Sequence, residues 1–123
     1  MDERVKIRPS VVTLPSSSDF EKFQNQTLRP VIKLQHDLII ELFHQIITNK
    51  KLFLEELSEI KKQILIKTLF ESDTQFKTAI TFLVVGQLTL DEFVFFMKNR
   101  KELSRRICQM CKSKILRQIG LIN

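Results

Sequence analysis

At 123 residues, 43% hydrophobic and 28% charged, the chain has the size and composition of one globular domain with a single core. Only two Gly and three Pro occur, which disfavours a sheet of many tight hairpins and leaves no Gly-rich phosphate loop of the GxGxxG or Walker A kind. The net charge is +6, and its uneven placement along the chain becomes the main functional signal below.

The longest apolar runs, FLVV and FVFFM, are far too short to span a bilayer. The opening MDERVKIRPS has no apolar stretch of signal-peptide length. Two cysteines three positions apart make no disulfide framework, so a reducing, cytoplasmic compartment is expected.

In chain order, residues 1–17 read as an extended N-terminal arm. Arg8-Pro9 and Leu14-Pro15 hold it extended, because a residue before proline is pushed out of the helical region. VKI and SVVTL either pair as a strand or lie along the rest of the molecule. Residues 18–123 read as the helical bundle. Ser18-Asp19-Phe20-Glu21 is a capping box that opens the first helix. At Pro30 the helix either kinks or gives way, near Thr27, to a longer one with Pro30 in its first turn.

From Leu28 on, Leu28, Val31, Ile32, Leu38, Ile39, Leu42, Phe43 and Ile46 fall on an arc of roughly 140° at helical spacing. Leu34, Ile40 and Ile47 lie outside it, so more than one neighbour should cover this helix. Ser58 caps a helix running to about Phe70, and Ser72-Asp73-Thr74-Gln75 reads as the capping box of the next, through Val85. Phe76, Ala79, Ile80, Phe82, Leu83, Val84 and Val85 leave that helix little polar face, so it should form the centre. The final helical stretch starts at Leu90, is renewed at Asn99 as a second N-cap with Glu102 three residues on, and ends near Gly120. The expected fold is a compact all-α single-domain bundle of four to five helices.

The junction GQLTLDEF, residues 86–93, has the outline of the back half of a calcium-binding EF-hand loop. With Gly86 at position 6 and Glu92 at position 12, however, Thr81, Leu83 and Val85 occupy the ligand positions 1, 3 and 5. One hydroxyl and two aliphatic groups do not hold a hard dication, and calcium is excluded. Gly86 is expected to terminate one helix in the left-handed C′ conformation. Thr89 and Glu92 form a capping box that opens the next.

IRPSV at 7–11, FQNQTLRPVIKLQHDL at 23–38, and GQLTLDEF followed by ELSRRI resemble a family of small all-helical bacterial proteins. Members of that family have carried the label glyoxalase without its motifs. The resemblance covers nearly the whole chain and implies a helical fold. Glyoxalase-type sites need His and Glu ligands presented by β-strands, whereas this chain has two His on one helix, so the activity is not carried over.

Glu41 and His44 match Glu-x-x-His, the half-motif of carboxylate-bridged di-iron bundles. The second half is missing, since Lys33 rather than Glu precedes His36. Glu41 and His44 therefore read as a solvated pair on one helix face, and His36 as a partly buried packing residue. Cys108-Gln109-Met110-Cys111 is a CxxC, but it lies within a helix rather than at its N-terminus, where the dipole would lower a thiol pKa. Cβ atoms three apart on a helix are about 5–6 Å apart, too far for a disulfide. Cys111 reads as core and Cys108 as the candidate reactive thiol, at the border beside Arg105 and Lys112.

Residues 93–123 carry eight Lys and Arg against one Glu, so the rest of the chain is net −1. Lys98, Lys101, Arg105 and Lys112 fall within about 60° on one helix and form the candidate basic binding face. Such a ridge suits a phosphate backbone. It also suits a solvated helix face, with its charge complementing the C-terminal dipole. No Tyr or Trp is present for base stacking. The expected function is a non-enzymatic interaction module with a protein partner, a second copy of the chain included; the alternative is a nucleic-acid-associated protein. No catalytic residue, cofactor, metal or membrane attachment is assigned.

Overall fold

Ser18, Ser58, Asp73 and Thr89 each accept a backbone N–H three residues on, from Glu21, Lys61, Phe76 and Glu92 at 3.1, 3.2, 3.0 and 3.3 Å. Each satisfies an amide that a helix start would otherwise leave unpaired. A computed structural model describes residues 2–11 and 18–123. The described residues form helices and connecting turns, with no strand among them: α1 (Glu3–Lys6), α2 (Asp19–Phe23), a π turn (Gln24–Leu28), α3 (Arg29–Leu34), α4 (His36–Asn49), a 3₁₀ turn (Leu54–Glu56), α5 (Glu59–Ser72), α6 (Thr74–Val85), α7 (Leu90–Lys98) and α8 (Arg100–Gln118). None is long and apolar enough to cross a membrane.

The all-α reading holds, but the helices outnumber the expected four to five because two long ones are broken. The first break is at Gln35, whose backbone leaves the helical well (φ −90°, ψ 7°) while its side-chain amide donates to the Leu83 carbonyl at 2.8 Å. The break re-phases α4. Its buried residues are Ile39, Phe43 and Ile47, and Leu38, which the unbroken arc would bury, is 53% exposed. The second is at Asn99, whose amide turns back to the Phe95 carbonyl at 3.0 Å rather than capping α8.

At Pro30 the run stays helical and does not end near Thr27. The turn before it widens, with the Arg29 N–H reaching the Gln24 carbonyl five residues back. A π turn there relieves the clash of a proline ring with the carbonyl four residues earlier.

Gly86 corrects the expected left-handed cap. It is right-handed, at φ −62°, ψ −16°. The chain uses positive φ instead at Gly120 (φ +81°) and Lys51 (φ 59°). At Gly120 the next N–H, Leu121, bonds back to Leu116 at 2.9 Å and closes α8. The α6 cap also moves by one residue, from Ser72 to Asp73.

The core sits between α6 and α8, which share the centre. α6 buries Phe76, Ile80, Thr81, Val84 and Val85; α8 buries Leu103, Ile107, Cys111 and Ile115, a stripe spaced by four. Thr81 enters the core because its hydroxyl donates to Lys77 O at 2.8 Å. Arg106 ties α8 to α2 by donating to Gln24 Oε1 at 2.9 Å and lying 5.9 Å over the Phe20 ring.

The arm is not extended throughout, since Glu3–Lys6 is a helical turn capped by Asp2. VKI begins in that turn and not in a strand; most of SVVTL lies outside the described residues. Arg8 then reaches the α6–α7 junction. It donates to both Glu92 oxygens at 2.9 and 2.7 Å and to the Gln87 carbonyl at 3.0 Å. Glu92 also accepts the Thr89 N–H at 2.9 Å, completing the expected capping box. Burial pushes the Glu92 carboxyl up, but hydrogen bonds from Arg8 and Thr89, with the Arg8 charge, outweigh it and hold the pKa below 4.5.

Candidate functional site

Along α8, Lys101, Arg105, Cys108 and Lys112 are spaced 4, 3 and 4 apart, and so form one face. Thr74, Lys77, Thr78 and Thr81 do the same on α6. The two faces border a groove of about 470 Å³, lined also by Phe70 and Glu71 of α5 and by Phe82 and Arg100. Three of the four residues of the expected basic face therefore meet there. Lys98 does not, because the break at Asn99 puts it on α7. Lys77 and Arg100 join the groove instead, giving five cations around an apolar floor of Phe70, Phe82 and Cys108, with Glu71 as the carboxylate among the lining residues.

Arg105 is held by Glu102, with Nη2 to Oε1 at 2.6 Å and Nε to Oε2 at 3.1 Å. Hydrogen bonds from Arg105 and Arg106 pull the Glu102 pKa down to about 2. This carboxylate orients Arg105 but weakens its field. Lys77 donates to the Glu71 carbonyl at 3.4 Å.

Cys108 lies on the groove floor, 3.7 Å from the Thr81 hydroxyl. Burial pushes its thiol above 9.0, against the opposing pull of the Thr81 hydrogen bond and the Lys77 charge. The surroundings thus disfavour the activated thiolate that its basic neighbours suggested. Cys111 is buried, as expected, and burial pushes it up to about 12. Both cysteines are free thiols.

Glu41 accepts a hydrogen bond from Gln45 at 2.8 Å, while the His44 ring lies 5.6 Å from that of Phe43. No cluster of three or more metal-binding side chains occurs among the described residues.

The feature that composition hid is on α7. Leu90, Phe93, Val94 and Met97 occupy positions i, i+3, i+4 and i+7, one helix face, and are 76%, 36%, 43% and 42% exposed. On the same helix it is Phe95 and Phe96 that turn inward. Phe82, 41% exposed, and Phe93 both approach the buried Phe96, with ring centroids 6.4 and 6.5 Å away. Phe82 also lines the groove. The signal available in sequence was two adjacent apolar faces on one short helix, which a single core cannot both bury.

The fold and this surface define a class, an all-helical domain with a basic groove beside an exposed apolar helix face. No protein-family model, curated protein or solved structure matches the chain.

Proposed function

We propose that the protein is a non-enzymatic cytoplasmic interaction module, and that its α7 face and α6–α8 groove together take an acidic, amphipathic segment of a protein partner. The observation that carries this reading is the exposed stripe Leu90, Phe93, Val94 and Met97. Contiguous apolar exposure on a folded domain marks a contact surface, and the five groove cations set the sign of the partner's polar side. A second copy of the chain offers that chemistry. Phe53, Ile60 and Ile64 are 57%, 70% and 58% exposed, in a stretch that carries Glu55, Glu56 and Glu59 against Lys61 and Lys62 and is net −1. The second reading, a nucleic-acid phosphate backbone, rests on the groove cations alone and leaves the apolar stripe without a role.

The test titrates the protein with a synthetic peptide of residues 53–64 and, separately, with generic duplex DNA, while sedimentation follows self-association. The peptide should bind saturably, weaken with salt, and be lost both in Phe82→Ser and in the triple variant Lys101→Gln, Arg105→Gln, Lys112→Gln. No peptide binding together with a monomer at all concentrations would remove the reading. Duplex binding tighter than about 0.1 μM near physiological salt, beyond the non-specific range of about 10⁻⁴–10⁻⁶ M, lost in the triple variant but kept in Phe82→Ser, would replace it with the nucleic-acid reading.

A further inference from the structure

A second cavity lies on the other side of α8, away from the groove. It measures about 490 Å³ and is lined by Arg29, Ile32 and Lys33 of α3, by Met110, Ser113, Lys114 and Arg117 of α8, by Gln24 and Asn25 of the π turn, and by Val11. Four of its side chains are cations, and no carboxylate lines it among the described residues. Sequence reasoning placed Lys114 and Arg117 outside the basic face. It had no means of bringing Arg29 and Lys33 opposite them, because the two pairs are some eighty residues apart.

We propose that this cavity is a binding site for the phosphate group of a small phosphomonoester. Arg29 and Lys33 approach from one wall, Lys114 and Arg117 from the other. Ser113 and Asn25 supply neutral polar groups, and Ile32 with Met110 supplies apolar surface for the organic part. Arginine and lysine together provide forked and point-charge donors of the kind phosphate oxygens accept. The volume lies in the range of small-ligand sites, roughly 300–1,000 Å³, and exceeds what a bare phosphate fills.

Like charges also crowd Lys114 within the cavity. Burial lowers the Lys114 pKa, and the charges of Arg117 and Lys33 lower it further, with Cys111 opposing. A dianion between them removes that repulsion. Lys33 donates to the Ser10 carbonyl at 3.1 Å. This joins the segment after α1 to the cavity wall, which Val11 also lines.

The experiment compares thermal unfolding and amide chemical shifts on titration with inorganic phosphate, with glycerol 3-phosphate, and with sodium chloride at matched ionic strength. Wild type should show a saturable Tm rise with phosphate, about 5 °C at tenfold excess over Kd, and shifts centred on Ile32, Lys33, Ser113 and Lys114. Tighter binding of glycerol 3-phosphate assigns the cavity to an organic phosphate, as proposed. Equal affinity keeps the phosphate site but overturns the organic assignment. Lys114→Gln should keep or raise the ligand-free Tm, since it relieves like-charge contacts, yet lose the phosphate response. Arg117→Gln, at an exposed position, should weaken binding at least several-fold and serves if Lys114→Gln fails to fold. A Tm rise matched by sodium chloride, one retained in both variants, or shifts centred on Lys101, Arg105 and Lys112 would overturn the proposal.

Discussion

Replacing Glu92 by Gln tests the long-range ion pair with Arg8 that fastens the N-terminal segment to the bundle. The Arg8 side chain is 7% exposed and that of Glu92 20%, so neither is well solvated. Glu92 accepts two hydrogen bonds from the guanidinium and one from the Thr89 amide. Glu92→Gln leaves the cation nearly buried, with the Gln87 carbonyl and a neutral amide as acceptors. Breaking a buried pair from one side costs about 3–5 kcal/mol, and the partial exposure of Glu92 points to the lower end, about 3 kcal/mol. Arg8→Ala removes the cation itself and leaves a carboxylate that still accepts from Thr89 and reaches water. Its cost should be smaller, about 2 kcal/mol, the range for charge-assisted hydrogen bonds.

The double variant should be more stable than the sum of the two losses predicts, by at least about 1 kcal/mol of coupling. Urea unfolding is the suitable assay, because guanidinium chloride would screen the pair. The pH dependence has a definite sign. The folded-state pKa of Glu92 lies below its unfolded value, so the folded state binds fewer protons. The pair's contribution is complete above about pH 4.5 and is lost as pH falls through the folded pKa. Wild type should lose more stability on acidification than Glu92→Gln. Additive single costs, within about 0.5 kcal/mol, or identical acid sensitivity would refute the account of a coupled, buried pair.

Gly86→Ala should be nearly neutral by thermal unfolding, within about 0.5 kcal/mol, because φ is negative there and the new Cβ meets only the Phe82 carbonyl, at 3.2 Å. Gly120→Ala, at φ +81°, should cost about 1 kcal/mol; a larger loss at Gly86 would contradict the right-handed geometry. Asp73→Ala should destabilise by about 1 kcal/mol as a lost N-cap, and Ser72→Ala by much less, in the same assay. With a thiol reagent near neutral pH, Cys108 should label slowly but well ahead of Cys111. Equal rates in the native state would show that α8 does not bury Cys111.

The local signals in this chain were reliable where their chemistry is local. Ser18, Ser58 and Thr89 cap helices as read, because an N-cap needs only a side-chain oxygen and the next few amides. Cys111 is buried as read. Stretches far apart in the sequence turn out to meet one another. Arg8 of IRPSV holds Glu92 of GQLTLDEF, and Arg106 of ELSRRI holds Gln24 of the stretch at 23–38.

Tertiary structure decided the rest. The break at Gln35 depends on a bond to a carbonyl supplied by α6 and re-phases α4, which exposes Leu38 and buries Ile47. The renewal at Asn99 was legible in the sequence, but Asn99 turns back to the Phe95 carbonyl instead of capping α8. Helical periodicity specifies which residues share a face, but not which faces find a neighbour. The open apolar face of α7 and the two basic cavities flanking α8 therefore follow from how the helices pack.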